Sequence, residues 1–479
     1  MRRLSRSLTP ELLRERYFRR YWAGQTISMF GDQISGIVLP LVGVLTLHTG
    51  PAQMGILAGL EWLPSLLFGM HAGVWADRIG HRRQLMIAAD LGRAALLATV
   101  PVCYAAGVLT LAQLYAVAFT TGTLSILFVV SDPAVFVALV PEEKYVAGQS
   151  LVYGSRALSF VGGPSVGGVL VQWLSAPFAV VADALSFLGS AWFLSRIRAA
   201  EPPRAGPEHG GLLAGARFIR GSAIVRASLA AVATINFFNF MFFALMVLYA
   251  VRYLHIRPGE LGVLLGAGAV GGLLGAATTQ RISRRLGVGW AYVLGCVVFT
   301  APMVLIPLAT GPRPLILIMV LTAEFLSGYG VMVLDISIGA IFAAVIPDAI
   351  RSRVSGAFQA VNYGTRPVGA LAGGALGAAI GVRTTLWIAA LGGITGALFL
   401  LPSPLPRFRM PAGRGTAVPP QPAGPGPDGT GQDGTGQHGR GQHGTGQDGT
   451  DQDGTGSPRY VPNDQRLPSG SSTAKSREP

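Results

Sequence analysis

The chain is short of the residues that keep most proteins in water. Charged residues fill 13% of its 479 positions, about half the usual share in soluble domains. Lys144 and Lys475 are the only lysines, so arginine carries nearly all the positive charge. The only cysteines, Cys103 and Cys296, lie inside apolar stretches of different halves, which excludes a disulfide scaffold. His438 and His443 have no carboxylate or thiolate at ligand spacing, so no metal site is expected. There is no phosphate-cradling glycine loop and no Cys/His nucleophile pair, which argues against an enzyme and against ATP dependence. A cleaved signal peptide is not expected either, because the first apolar segment is too long and has no small-residue cleavage site.

What the chain has is apolar length. Half of its residues are hydrophobic, and about 20 apolar residues suffice to cross a bilayer. Twelve such segments are predicted, at 22–47, 54–76, 84–106, 110–131, 147–173, 178–196, 228–251, 261–280, 287–309, 315–341, 355–380 and 383–402. The fold class that follows is an all-α polytopic membrane protein, with twelve transmembrane helices in two six-helix bundles. The expected organisation is a basic arm (1–21), a first bundle (22–196), a linker (197–227), a second bundle (228–402) and a tail (403–479). Residues 428–456 of that tail repeat a five-residue Asp/His, Gly, Thr, Gly, Gln unit, a composition that buries no core and is expected to be disordered.

The net charge of +14 would suggest nucleic acid in a soluble protein, so its placement decides. With the amino terminus inside, the cytoplasmic turns hold Arg78, Arg82, Arg83, Lys144, Arg281, Arg284, Arg285, Arg351 and Arg353; the opposite turns hold only Arg252, Arg257, Arg313 and Arg383. This bias predicts both termini in the cytoplasm of a multi-pass plasma-membrane protein. It also accounts for the charge without a nucleic acid partner.

The two halves repeat each other. Gly69, Gly73, Arg78, Ile79 and Arg82 align with Gly272, Ala276, Arg281, Ile282 and Arg285 at an offset of 203, with Gln280 in place of Asp77. Further on, Pro141, Gln149, Tyr153, Gly154, Arg156 and Gly163 align with Pro347, Gln359, Tyr363, Gly364, Arg366 and Gly373. Parallel repeats of about two hundred residues are the plan of a large class of secondary transporters.

Polar residues inside apolar helices mark candidate sites, since a charge at mid-membrane costs about 2.5–3.5 kcal/mol on insertion scales. Asp32 lies about midway down the first segment, and Gln25, Ser28 and Ser35 share its helical face. Glu324 is a further carboxylate expected at the cavity, Glu61 serves either the cavity or a structural contact, and Asp335 suits a gate or a packing contact. Asn236 and Asn239, one turn apart among phenylalanines, suit a bulky apolar ligand with a few polar groups. Asp90 and Arg93, three apart, are expected to pair. Arg156 and Arg366 occupy equivalent repeat positions, which suggests paired structural or gating roles, with a direct ligand role as the alternative.

The turn Gly73, Ala76, Asp77, Arg78, Gly80, Arg82, Arg83 resembles the diagnostic motif of the major facilitator superfamily. Gly163, Pro164, Gly167 and Gly168 resemble the Gly-Pro-x-x-Gly-Gly element of its exporters, with Ser159 where an upstream glycine is expected. Phe18, Trp22, Gln25, Ser28, Gly31 and Asp32 look like its macrolide- and siderophore-efflux branch. The resemblance implies a monomeric exporter in the lipid bilayer, moving a hydrophobic or amphiphilic small molecule by alternating access in exchange for protons. No cofactor beyond the proton gradient is expected. It also implies that Asp77 and its arginines latch the halves together. The fourth segment has no arginine where many proton-coupled drug antiporters carry one. An importer or facilitator of another solute, or a ligand sensor on a transporter fold, are the rival readings.

Overall fold

The computed structural model describes residues 11–197, 212–347 and 350–408. Among these, secondary structure is helical. The long helices are α1 (Arg16–Leu41, continued by a wider turn over Val42–Thr46), α2 (Pro51–Ile79), α3 (Arg82–Ala105), α4 (Leu111–Leu139), α5 (Tyr145–Leu174) and α6 (Ala176–Ser195). After a short α7 (Leu212–Gly221) come α8 (Ala223–Arg252), α9 (Pro258–Leu286), α10 (Val288–Thr300), α11 (Leu305–Leu308), α12 (Arg313–Val345), α13 (Arg351–Ile380) and α14 (Val382–Leu398). Among the described residues, nine helices are long and apolar enough to cross a membrane by length and composition.

Several boundaries differ from expectation for local reasons. Arg16 to Arg20, expected in the basic arm, form the first turn of α1. The expected linker contains α7, and α8 begins at Ala223 instead of 228, because the Ser222 side chain accepts the Val225 N–H at 3.4 Å and caps the helix. The ninth segment is one span broken by a 3-10 turn over Ala301–Val304, where Pro302 removes a helical N–H. The remainder of the arm and linker, and the repetitive tail, lie outside the described residues.

Each half packs on itself: α1 with α5 and α6, α3 with α4 and α6, and α2 with α4; then α9 and α10 with α12, and α8 with α13 and α14. The halves meet chiefly through α2 on α13 and α5 on α9, which are repeat-equivalent pairs. Lipid tails are as apolar as leucine, so close van der Waals packing, not burial, holds such helices together. Small residues make that packing possible. A Cβ added at Gly55 of α2 would strike the Gly374 backbone of α13, and one at Gly168 of α5 would strike the Pro258 carbonyl of α9.

These contacts cluster at one end of the molecule, hereafter the Pro51 end. There a single apolar core draws Leu41, Met54 and Leu57 from the first half and Met241, Leu245 and Leu261 from the second. At the opposite, Gly80 end the core divides. One cluster, with Phe18, Met86 and Phe136, belongs to the first half; another, with Ile235, Tyr292 and Ile341, belongs to the second. Among the described residues, no atom lies within 4 Å of the place a Cβ would take at Gly69, Gly154 or Gly356. Among the described residues, the halves thus share one core at the Pro51 end and keep separate cores at the Gly80 end.

Candidate functional site

The fifth-helix glycines show how the sequence builds the walls. The place of a Cβ at Gly163 is taken by Gln33 and at Gly167 by Ile37, while Gly168 and the Pro164 carbonyl face α9. The element therefore lets α5 lie against α1 and α9 at once. The second half does likewise: Gly373 and Gly377 of α13 face Met241 and Leu245 of α8. Both glycine pairs are four apart and meet partners four apart, a structural echo of the internal repeat. Ser159, which stands for the upstream glycine, is buried and donates to the Arg156 carbonyl at 2.8 Å.

The α2–α3 turn depends on Gly80, whose φ of +74° lies in the left-handed region open to glycine. Arg82 Nη1 donates to the Val130 carbonyl at 3.1 Å. Arg83 Nη1 donates to the carbonyls of Leu194, Ser195 and Ile197 at 3.2, 3.1 and 2.6 Å. A cation there satisfies the open carbonyls at the end of α6. Gly73, Asp77 and Arg78 lie in α2, but their side-chain surroundings are outside the described residues.

A charged network centres on Arg93, which is only 2% exposed. Its guanidinium pairs with the fully buried Asp90, donates to Ser125 Oγ at 3.2 Å and stands 3.4 Å from Asp32 Oδ1. Phe187 and Phe128 cover it at 4.0 and 4.8 Å from their ring centroids. The Asp32 side chain is 47% exposed, so the network reaches the cleft through this carboxylate. Behind it, Asp183 of α6 accepts from Ser35 and Ser186. Gly31 makes room for this, since a Cβ there would strike both Ser186 and Asp183.

The remaining polar face of α1 turns inward. Gln25 and Ser28 are buried, and Gln25 donates to Asp132 of α4, which also accepts from Tyr21 at 2.6 Å. Sequence reasoning overlooked Asp132 and Asp183. The rule that selected Asp32, a carboxylate inside an apolar segment, applies to Asp183, whereas Asp132 lies just past the expected end of the fourth segment at 131, in the part of α4 that runs on to Leu139.

Across the cleft the walls are aromatic. Trp62 of α2 meets Phe240 of α8 edge-on at 5.2 Å and stacks on Tyr363 of α13 at 6.5 Å. Arg366 lies among them, 4.4 Å from Trp62, 4.5 Å from Tyr363 and 5.0 Å from Phe240. Glu61 lines a neighbouring pocket of about 420 Å³, open to solvent, with Leu57, Phe243 and Val247. Arg156 is exposed, with only longer-range attractions to Asp32 and Asp132, so the two repeat-equivalent arginines have different surroundings. Asn236 donates to the Val232 carbonyl of its own helix at 3.0 Å. Asn239 lines a second pocket with Phe299 and Thr300 of α10 and Gly393 of α14. Glu324 lies over Gly268 of α9 in the second half, apart from the Arg93 network.

The family model described as transmembrane secretion effector matches residues 6–422. The chain belongs to this family of major facilitator transporters. The multidrug efflux pump Tap of Mycobacterium tuberculosis is 29% identical over 430 residues, covering 82% of this chain and 92% of that protein. An uncharacterized MFS-type transporter of Bacillus subtilis, YfiS, is 27% identical over 378 residues, 75% of this chain and 86% of its own. Among solved structures, a bacterial homologue of the lysosomal transporter Spinster, in an inward-facing and unoccupied conformation, superposes with a TM-score of 0.62 at 14% identity, covering 82% and 97% of the two chains. The nucleoside transporter NupG gives 0.63 at 13%, covering 81% and 98%. At such identities the likeness is one of fold alone. Family and relatives are membrane transporters, and the chain is a multi-pass membrane transporter of this type.

Proposed function

We propose that the chain exports a hydrophobic or amphiphilic small molecule from the cytoplasm by alternating access, in exchange for protons. The observation that carries this reading is the cleft itself. Among the described residues it is closed by glycine contacts at the Pro51 end and flanked by separate cores at the Gly80 end, and a half-exposed Asp32 and an aromatic wall border it. With the arginine-rich turns in the cytoplasm of a plasma-membrane protein, this is the inward-open state. Efflux as the direction draws support from the Tap pumps.

Coupling follows from the Arg93 network. Ionised Asp32 holds α1 to α3 through Arg93. A proton on Asp32 removes that attraction, while Arg93 keeps Asp90 as its counter-ion. Binding of ligand against Trp62 and Phe240 then goes with release of the proton from Asp32, so that ligand and proton bias the halves in opposite senses. In the outward-open state, Asp77 and its arginines would latch the Gly80 end.

The test is purified protein in vesicles under an imposed pH gradient, with an amphiphilic dye as cargo. Gradient-driven movement of dye that disappears in Asp32→Asn is the expected result. Movement indifferent to the gradient would replace antiport by facilitated diffusion, and no movement with dye still bound would favour a sensor.

A further inference from the structure

The two arginines enclosed by aromatic rings invite comparison. Arg93 has Phe128 and Phe187 over it, and the edge of its guanidinium is met by Asp90, Asp32 and Ser125. Arg366 has Trp62, Tyr363 and Phe240 around it, yet among the described residues no carboxylate stands within ion-pair distance of it. Asp335 of α12 contributes only a longer-range attraction. Arg366 Nε is buried without a hydrogen-bond partner, as Arg93 Nε is, so the two differ in the carboxylates at hand and not in this atom. One turn earlier on the same face of α13, Asn362 Oδ1 is also buried and unpartnered. Rings satisfy the flat surface of a guanidinium; they leave its N–H edge, which matches an oxyanion in the plane, unsatisfied.

Both orphaned groups stand where the halves meet, since Trp62 belongs to α2 and Arg366 to α13. A half-buried cation with no protein counter-ion in reach is one to which an anionic ligand group can supply the missing partner.

We propose that Arg366 and Asn362 form an oxyanion subsite in the cleft, and that the preferred cargo is an amphiphile bearing a carboxylate or similar oxyanion. This rests on the exporter reading and narrows its substrate class. The oxyanion lies against the guanidinium edge, with the Asn362 amide turned to donate to it. The apolar body lies along Trp62, Phe240 and Phe243. Glu61, next to Trp62 in the chain, sets the limit of the subsite, because a carboxylate placed toward it would be repelled. An anionic lipid headgroup offers the same chemistry as a soluble carboxylate, and the test separates the two.

Three probes with one apolar body, pyrenebutyrate, pyrenebutanol and pyrenebutylammonium, are titrated into the full chain in neutral detergent, with binding read as energy transfer from tryptophan to pyrene. The wild type is expected to bind pyrenebutyrate about tenfold more tightly than pyrenebutanol, as a charge-assisted bidentate contact implies. Arg366→Gln should erase that ratio, and an unfolding midpoint close to that of the wild type shows that the variant is folded. Should Arg366→Gln bind neither probe, Asn362→Ala serves instead, with a smaller loss confined to pyrenebutyrate. Competition by phosphatidylglycerol but not phosphatidylcholine, lost in Arg366→Gln, would support the subsite with a lipid headgroup as its source. Equal binding of pyrenebutyrate and pyrenebutanol by the wild type, tighter binding of pyrenebutylammonium, or a pyrenebutyrate preference that survives Arg366→Gln would overturn it. Vesicle transport is read separately: dye export with no anion preference in binding removes the subsite alone, whereas anion preference without any transport removes the exporter reading alone.

Discussion

Arg93 Nη1 and Asp32 Oδ1, 61 residues apart in the chain, stand 3.4 Å from each other across α3 and α1. The same guanidinium holds the fully buried Asp90. One cation thus serves a carboxylate that never meets solvent and another that opens to the cleft.

Removing that cation should be costly. Arg93→Ala strands Asp90 in a buried position, and breaking a buried pair from one side typically costs about 3–5 kcal/mol. The expected outcome is a large fall in the thermal unfolding midpoint, followed by tryptophan fluorescence. The double variant Arg93→Gln with Asp90→Asn leaves no uncompensated charge at that pair and should recover most of the loss. A single variant as stable as the double would refute the account.

Part of this arrangement is legible in the amino-acid sequence. Asp32 stands out as a carboxylate in an apolar segment, and Asp90 and Arg93 pair as their three-residue spacing suggests. Asp183 carries the same signal, but as a single carboxylate with no polar stripe of the α1 kind to mark its face, and Asp132 falls just past the expected end of the fourth segment. That stripe is itself only half legible. Helical spacing puts Gln25, Ser28, Asp32 and Ser35 on one face, but spacing does not say what covers the face. Asp132 of α4 covers Gln25, 107 residues away, so only Asp32 opens to the cleft. Trp62 and Arg366 meet across 304 positions, and no local pattern joins them. The spans and the repeat are clearer, since hydrophobic length and self-similarity are properties of the chain alone.

Arg83 offers a simpler test. Its guanidinium reaches three carbonyls at the end of α6, and a cation at a helix carboxyl end contributes about 0.3–2 kcal/mol, more as the site is enclosed. Arg83→Gln should lower the unfolding midpoint by a corresponding few degrees, with Arg83→Lys retaining part of the effect. A lysine variant no better than glutamine would assign the role to the planar fork and not to the charge.

The glycine contacts at the Pro51 end predict a shift of conformation. Gly374 touches the Gly55 backbone, and a Cβ there has no space. Overpacking at a close contact costs about 1–3 kcal/mol, and here the cost falls only on the state in which this end is closed. That difference moves the balance between states by about 5- to 150-fold. Gly374→Leu should therefore favour the state open at the Pro51 end. The measurement is labelling of Ala58→Cys, introduced after Cys103→Ser and Cys296→Ser, by a membrane-impermeant maleimide from the face where α2 begins. Faster labelling in Gly374→Leu, with slower turnover of cargo, is the expected pair of results. Unchanged labelling with a lowered unfolding midpoint would mean that the glycine contact only stabilises the fold and does not select a state. Met332, which lies beside Gly275 within the second half, provides the control. Crowding that site with Gly275→Leu burdens a contact inside one half, so it should lower stability without altering labelling at residue 58.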